Sequence, residues 1–206
     1  VARRLAKASV SFGSLREKVW NKSGITVVTK IQVYKAIVLP SLLYGCETWT
    51  VYARHAKKLN SFHMRCLRSI LHVKQEDRIP DTEVLERAKS ESVFALLKRS
   101  QLRWAGHVHR MDDTRIPKLL LYSEHAGGSR KRGRPKLRYK DTLKASFKCC
   151  LIDPDTWEQT ASDRAAWRHL VWKGVSSFEA NRIAKRKEQR RKRKEKDSNC
   201  ARADGS

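Results

Sequence analysis

The stretch VFALLKRSQLRWAGHVHRM, residues 93–111, decides the fold. Val93, Leu97, Trp104, Val108 and Met111 recur at helical spacing and share one face. Ser92 stands just before them, where a side-chain oxygen can cap the first free N–H groups. Arg99, Arg103 and Arg110 follow one another at four and seven residues on a second face, with Lys98 nearby. The helix therefore has an apolar side to bury and a basic ridge to present.

The same spacing continues outward. Upstream, Leu59, Phe62, Cys66 and Ile70 stripe one helix, and Leu5, Ala8, Phe12, Leu15 and Val19 stripe another that Asn21 to Gly24 ends. Between them a helix is expected from about Val27 to Leu39. Pro40 kinks or ends it, since proline lacks the N–H and crowds the preceding turn. Pro80-Asp81 reads as a further helix start. Downstream, a helix should follow Pro135 to about Cys149, with Asp153-Pro154-Asp155 as punctuation. Ser162-Asp163 opens one carrying Trp167, Leu170 and Val171, and Ser176 with Glu179 matches a capping box that starts a last helix.

No apolar alternation is long enough for a sheet, so the expected fold class is mainly α. The expected division is a helical domain over 1–122, a basic linker over 123–135 and a small helical unit over 136–180. Trp157, Trp167, Trp172 and Phe178 would anchor that unit. The tail, 181–206, has too few apolar residues to pack and is expected to be helical only in part.

Charge sets the partner. Forty-six Lys and Arg against twenty-one Asp and Glu give a formal charge of +25. Arg130, Lys131, Arg132, Arg134, Lys136, Arg138 and Lys140 crowd eleven residues around a Gly- and Pro-containing loop. Lys185, Arg186, Lys187, Arg190, Arg191, Lys192, Arg193 and Lys194 form a second run, which reads as a localisation signal or a nucleic-acid contact. Such self-repelling runs are stable against a polyanion, and nucleic-acid phosphate is the usual one. The expected partner is RNA or DNA, in the nucleus or cytoplasm. No membrane partner is expected, because the longest apolar run, Ala36 to Cys46, is interrupted by Pro40 and too short to span a bilayer. Five cysteines at irregular spacing argue for reduced thiols. Val1 in place of Met is what a fragment or a processed product would show.

Catalytic and metal chemistry find little footing. Asp112-Asp113 lies between Arg110-Met111 and Thr114-Arg115, a setting for a turn or cap rather than for a pair of metal-binding carboxylates between strands. His63-x-x-Cys66 is one ligand pair where a structural zinc site needs two. No phosphate loop or Ser/His/Asp arrangement appears. Trp49, Trp104 and Tyr44 could stack on bases, although Trp104 belongs to the apolar stripe. No cofactor is expected in this chain.

Several blocks occur in an order that resembles a known family. They are YKAIVLPSLLYGCETW (residues 34–49), LRWAGHVHRM (102–111), Arg115-Ile-Pro-Lys118, Gly133-Arg-Pro-Lys136 and WEQTASDRAAWR (157–168). Together they resemble the C-terminal region of LINE-type (non-LTR) retrotransposon reverse transcriptases, after the catalytic palm. The resemblance implies a thumb-like helical bundle and a basic segment that grips template or target. The parent polymerase, with its palm upstream, would use Mg²⁺; the palm motif is not in these residues, so no catalytic residue carries over. A second reading takes Arg132-Gly133-Arg134-Pro135 as the core of an AT-hook in a standalone, domesticated DNA-binding protein. A third takes the chain as a translated relic with inherited basicity.

Overall fold

In the computed structural model, the described residues are 1–123, 133 and 137–203, with backbone alone over 196–203. Among them there are ten α-helices and no strand, so the fold is mainly α. They are α1 Ala2–Ser14, α2 Val27–Val33, α3 Leu39–Leu43, α4 Ala53–Ile70, α5 Asp81–Arg87, α6 Val93–His109, α7 Ile116–Tyr122, α8 Tyr139–Cys149, α9 Trp157–Ser162 and α10 Arg164–Ala203.

Two π-helical turns extend the apolar stripes. The first, Arg16–Trp20, prolongs α1 and drops Trp20 into the core, where its indole N–H donates to the Phe12 carbonyl at 2.7 Å. Lys30 is buried, and its ammonium caps the Trp20 carbonyl at 2.7 Å. The second, Tyr34–Val38, joins α2 to α3 just ahead of Pro40. There the Leu39 N–H reaches back five residues to the Tyr34 carbonyl. The wide turn makes room for the proline ring, so the helix neither ends nor breaks at Pro40. Val27–Thr48 is long and apolar enough to cross a membrane, a longer span than the run Ala36 to Cys46 suggests. Its Ile31, Tyr34, Val38, Leu42 and Cys46 are buried in the protein core.

Two apolar clusters meet on α6. The first holds α1 to α5 together and includes the expected Leu59, Phe62, Cys66 and Ile70 of α4, with Val93 and Leu97 from the start of α6. The second takes Ala95, Leu102, Ala105 and Val108 from α6 and adds α7 to α10. Serving both sides, α6 buries more than the one stripe its spacing predicts. Ser92 caps it as expected, its hydroxyl accepting from the Ala95 N–H at 3.2 Å.

The second cluster centres on aromatic rings. Phe147 lies 5.0 Å from Trp157 and 6.4 Å from Trp167, and the two indoles are 5.7 Å apart. Each such pair contributes about 0.5–1.5 kcal/mol beyond its burial. Phe178 packs against this cluster, but Trp172 is 60% exposed, because Trp167, Val171 and Val175 take the inward face of α10. α10 also corrects the expected helix start at Ser176, since it runs from Arg164 to Ala203 without a break. Glu179 is not a capping partner there. Its carboxylate binds Ser92 at 2.8 Å and Arg182 at 2.7 and 2.8 Å, tying α10 to the start of α6.

Candidate nucleic-acid interface

The basic ridge of α6 faces the first turns of α10. Asp163 starts α10, accepting from the Ala165 N–H at 2.7 Å. That register turns Trp167 inward and leaves Arg164 and Arg168, four residues apart, exposed beside it. Gly106 sets how near the helices come. A Cβ at Gly106 would lie 2.1 Å from the Trp167 indole nitrogen, so only glycine admits this ring. The indole then donates to the Leu102 carbonyl at 3.1 Å.

The approach leaves a cleft of about 470 Å³ between the two helices. Arg103, His107 and Arg110 line it from α6, Arg164 and Arg168 from α10, and Trp104 and Trp167 lie between them, with Ser100 and Glu47 completing the lining. Arg110 donates to the Ala161 carbonyl. Arg103, Arg164 and Arg168 have no hydrogen-bond or ion-pair partner among the described residues. Four guanidiniums against one carboxylate make a concentrated positive field. Like charges four apart on a helix cost about 0.2–0.5 kcal/mol, so Arg164 and Arg168 are a small liability that an anion between them removes.

The ridge expected from sequence is only partly brought together. Arg103 and Arg110 reach the cleft, while Arg99 is held in a two-pronged ion pair by Glu91. Arg138 precedes α8, where its N–H donates to Asp141 at 3.0 Å, and Lys140 binds the Ser123 carbonyl at 3.0 Å. Arg130, Lys131, Arg132, Arg134 and Lys136 lie outside the described residues, and with them the flanks of the hook-like Gly133. Gly133 itself has φ +116°, a backbone region that side chains disfavour.

The second basic run rides on the distal part of α10, where Lys185, Lys187, Arg193 and Lys194 are exposed. Much of this run is already partnered. Arg191 pairs with Glu188 at 2.9 Å and Glu195 at 3.6 Å, and Lys192 with Glu188 at 3.6 Å. Arg186 lies 3.8 Å from Asp81, and Arg190 donates to the Arg78 carbonyl at 3.3 Å, so this part of α10 runs along the acidic helix α5. What sets the cleft apart is that its unpartnered arginines come from two helices and face one space.

The sequence reading misses several cleft residues, among them Arg164, Arg168, His107 and Glu47. Arg164 and Arg168 show as a basic pair at one-turn spacing, but that they face Arg103 is visible only once Gly106 and Trp167 meet. Of the stacking candidates, Trp104 lines the cleft half-buried, while Tyr44 is 68% exposed under the Arg4 guanidinium, 4.3 Å from its ring.

The other polar residues weighed from the sequence lie away from the cleft. Asp112 accepts from the Thr114 N–H and hydroxyl in a tight turn, and these bonds hold its carboxyl below the usual range. Asp113 pairs with Lys118 at 2.6 Å. His63 is buried against the Tyr34 hydroxyl at 2.9 Å, and burial pushes its imidazole down to about 4. Burial likewise raises the Cys66 thiol to about 12, away from the thiolate a metal would need. Among the described residues no three His, Cys, Asp or Glu side chains group as metal ligands would.

No family model matches the chain. No solved structure matches it either. The chain is similar to a transposon-derived, uncharacterised protein of Caenorhabditis elegans, with 26% identity over 157 residues that cover 72% of this chain and 56% of the relative. The chain thus spans little more than half the length of that relative, and the similarity links it to transposon-derived sequence.

Proposed function

We propose that this chain is the non-catalytic, nucleic-acid-gripping C-terminal part of a LINE-type retrotransposon reverse transcriptase. The observation that carries the reading is the convergence of unpartnered Arg103, Arg164 and Arg168 from two helices on one cleft. The net charge of +25 and the link to a transposon-derived protein support it. A polymerase that moves along its template needs contacts that hold any sequence, and phosphate contacts do so while permitting translocation. The cleft would hold one strand, with distal α10 and the basic run Arg130, Lys131, Arg132, Arg134 and Lys136 supplying further phosphate contacts. The Mg²⁺ of the parent fits no residues here, since Thr114 engages Asp112 and Lys118 engages Asp113. Its ligands would belong to the palm upstream. RNA and DNA share the phosphate that these residues would recognise, and a nuclear or cytoplasmic location is the one that goes with either partner.

Binding of the whole chain to labelled RNA and DNA, titrated with salt, tests the reading. Tight binding at low salt that falls steeply as salt rises is expected, because each neutralised phosphate releases about 0.7–0.9 of a condensed cation. Absence of binding at low salt overturns it.

A further inference from the structure

We propose that the α6–α10 cleft takes one unpaired nucleotide, so that the grip is selective for single-stranded over duplex nucleic acid. The proposal rests on the phosphate-gripping reading and names the substrate of that site. Its first support is that the free arginines stand on opposite walls, Arg103 on α6 and Arg164 and Arg168 on α10. A phosphate meets both walls only by entering between the helices. A duplex carries its phosphates on a convex surface and reaches the rims alone, whereas a single strand can lower one phosphate inside. The second support is Trp104, half-buried and lining the same cleft. An indole beside a phosphate site offers a stacking surface for the base that follows the phosphate.

Glu47 supplies the third. Glu47 is half-buried and lines the cleft, and its carboxylate makes no hydrogen bond or ion pair among the described residues. A lone carboxylate weakens a plain phosphate site, but it accepts well from the amine edge of a base. Phosphate clamp, stacking surface and edge acceptor together make a nucleotide site, and about 470 Å³ gives such a group room. The paired bases of a duplex have neither their stacking faces nor their pairing edges free to use it.

The test compares a twelve-nucleotide cytosine oligomer with a blunt duplex of equal length, read by tryptophan fluorescence and by anisotropy of a labelled strand. The oligomer should bind more tightly than the duplex and quench the indole signal. Trp104→Leu should weaken oligomer binding by about 5- to 150-fold, the range for losing one stacked base, and weaken duplex binding far less. Trp104→Phe keeps a ring and should retain most of the affinity. The exposed pair Arg164→Ser with Arg168→Ser should erase the preference in a chain whose helical signal is unchanged. Equal binding of oligomer and duplex, insensitive to Trp104→Leu, overturns the proposal and leaves the phosphate grip standing. Binding of neither overturns both.

Discussion

Replacing Gly106 with alanine adds one methyl group where α6 meets the Trp167 ring of α10. The new Cβ would meet the Trp167 ring at 2.1, 2.4 and 2.8 Å, and that ring is 2% exposed with no room to retreat. Overpacking of this kind costs about 1–3 kcal/mol. Displacing the indole also loses its hydrogen bond to the Leu102 carbonyl, worth about 1 kcal/mol. Alanine returns about 1 kcal/mol through its better helix propensity. The net expectation is a loss of about 1–3 kcal/mol, read as a lower midpoint in urea unfolding at unchanged slope. Because α10 must move away from α6, nucleic-acid affinity should fall too, although no charge changes. A gain of about 1 kcal/mol, the behaviour of an ordinary exposed helical glycine, would refute the α6–α10 packing on which the cleft depends.

Other consequences are as direct. His63 is neutral and buried with its imidazole near 4 against an ordinary 6.5, so the unfolded chain binds the proton more readily. Stability should fall as pH drops below about 6.5 and level off near 4, by about 3 kcal/mol in all, and His63→Gln should flatten that part of the stability profile. Glu179→Ala should cost about 2–4 kcal/mol in chemical unfolding, because it strips the partner from Arg182, which is 15% exposed, and from Ser92. Replacing Arg130, Lys131, Arg132, Arg134 and Lys136 with Ser should lower the salt slope of binding by about 3–5 units if each meets a phosphate. A phosphate grip binds A·T- and G·C-rich sequences alike. An A·T preference erased by Arg134→Lys would instead mark a minor-groove hook.

Much of the helical plan was legible from single residues. Ser92 and Asp163 open α6 and α10 because caps act locally, Pro80 precedes α5 in the extended backbone that proline favours, and the stripe of Leu59, Phe62, Cys66 and Ile70 gave the buried face of α4. Long-range competition was not legible. Ser176 and Glu179 have the spacing of a capping box, yet Glu179 is taken by Ser92, 87 residues away. Trp172 looked like core, but Trp167, Val171 and Val175 already fill the inward face. Half of the cleft was visible as Arg103 and Arg110. Arg99, at the same spacing, goes to Glu91, and the opposite wall, Arg164 and Arg168, becomes its partner through Gly106, a residue that carries no side chain to signal it.

The most direct test is the salt dependence of single-strand binding by a chain in which Arg103, Arg164 and Arg168 are all changed to Ser. Three free guanidiniums meeting phosphate should lower the slope of log affinity against log salt by about 2 units. Changing Arg186, Arg191 and Lys192, each already within reach of a carboxylate, should lower it by less. A slope unchanged by the cleft substitutions, or lowered more by those on distal α10, would contradict the claim that this cleft is where the protein holds nucleic acid.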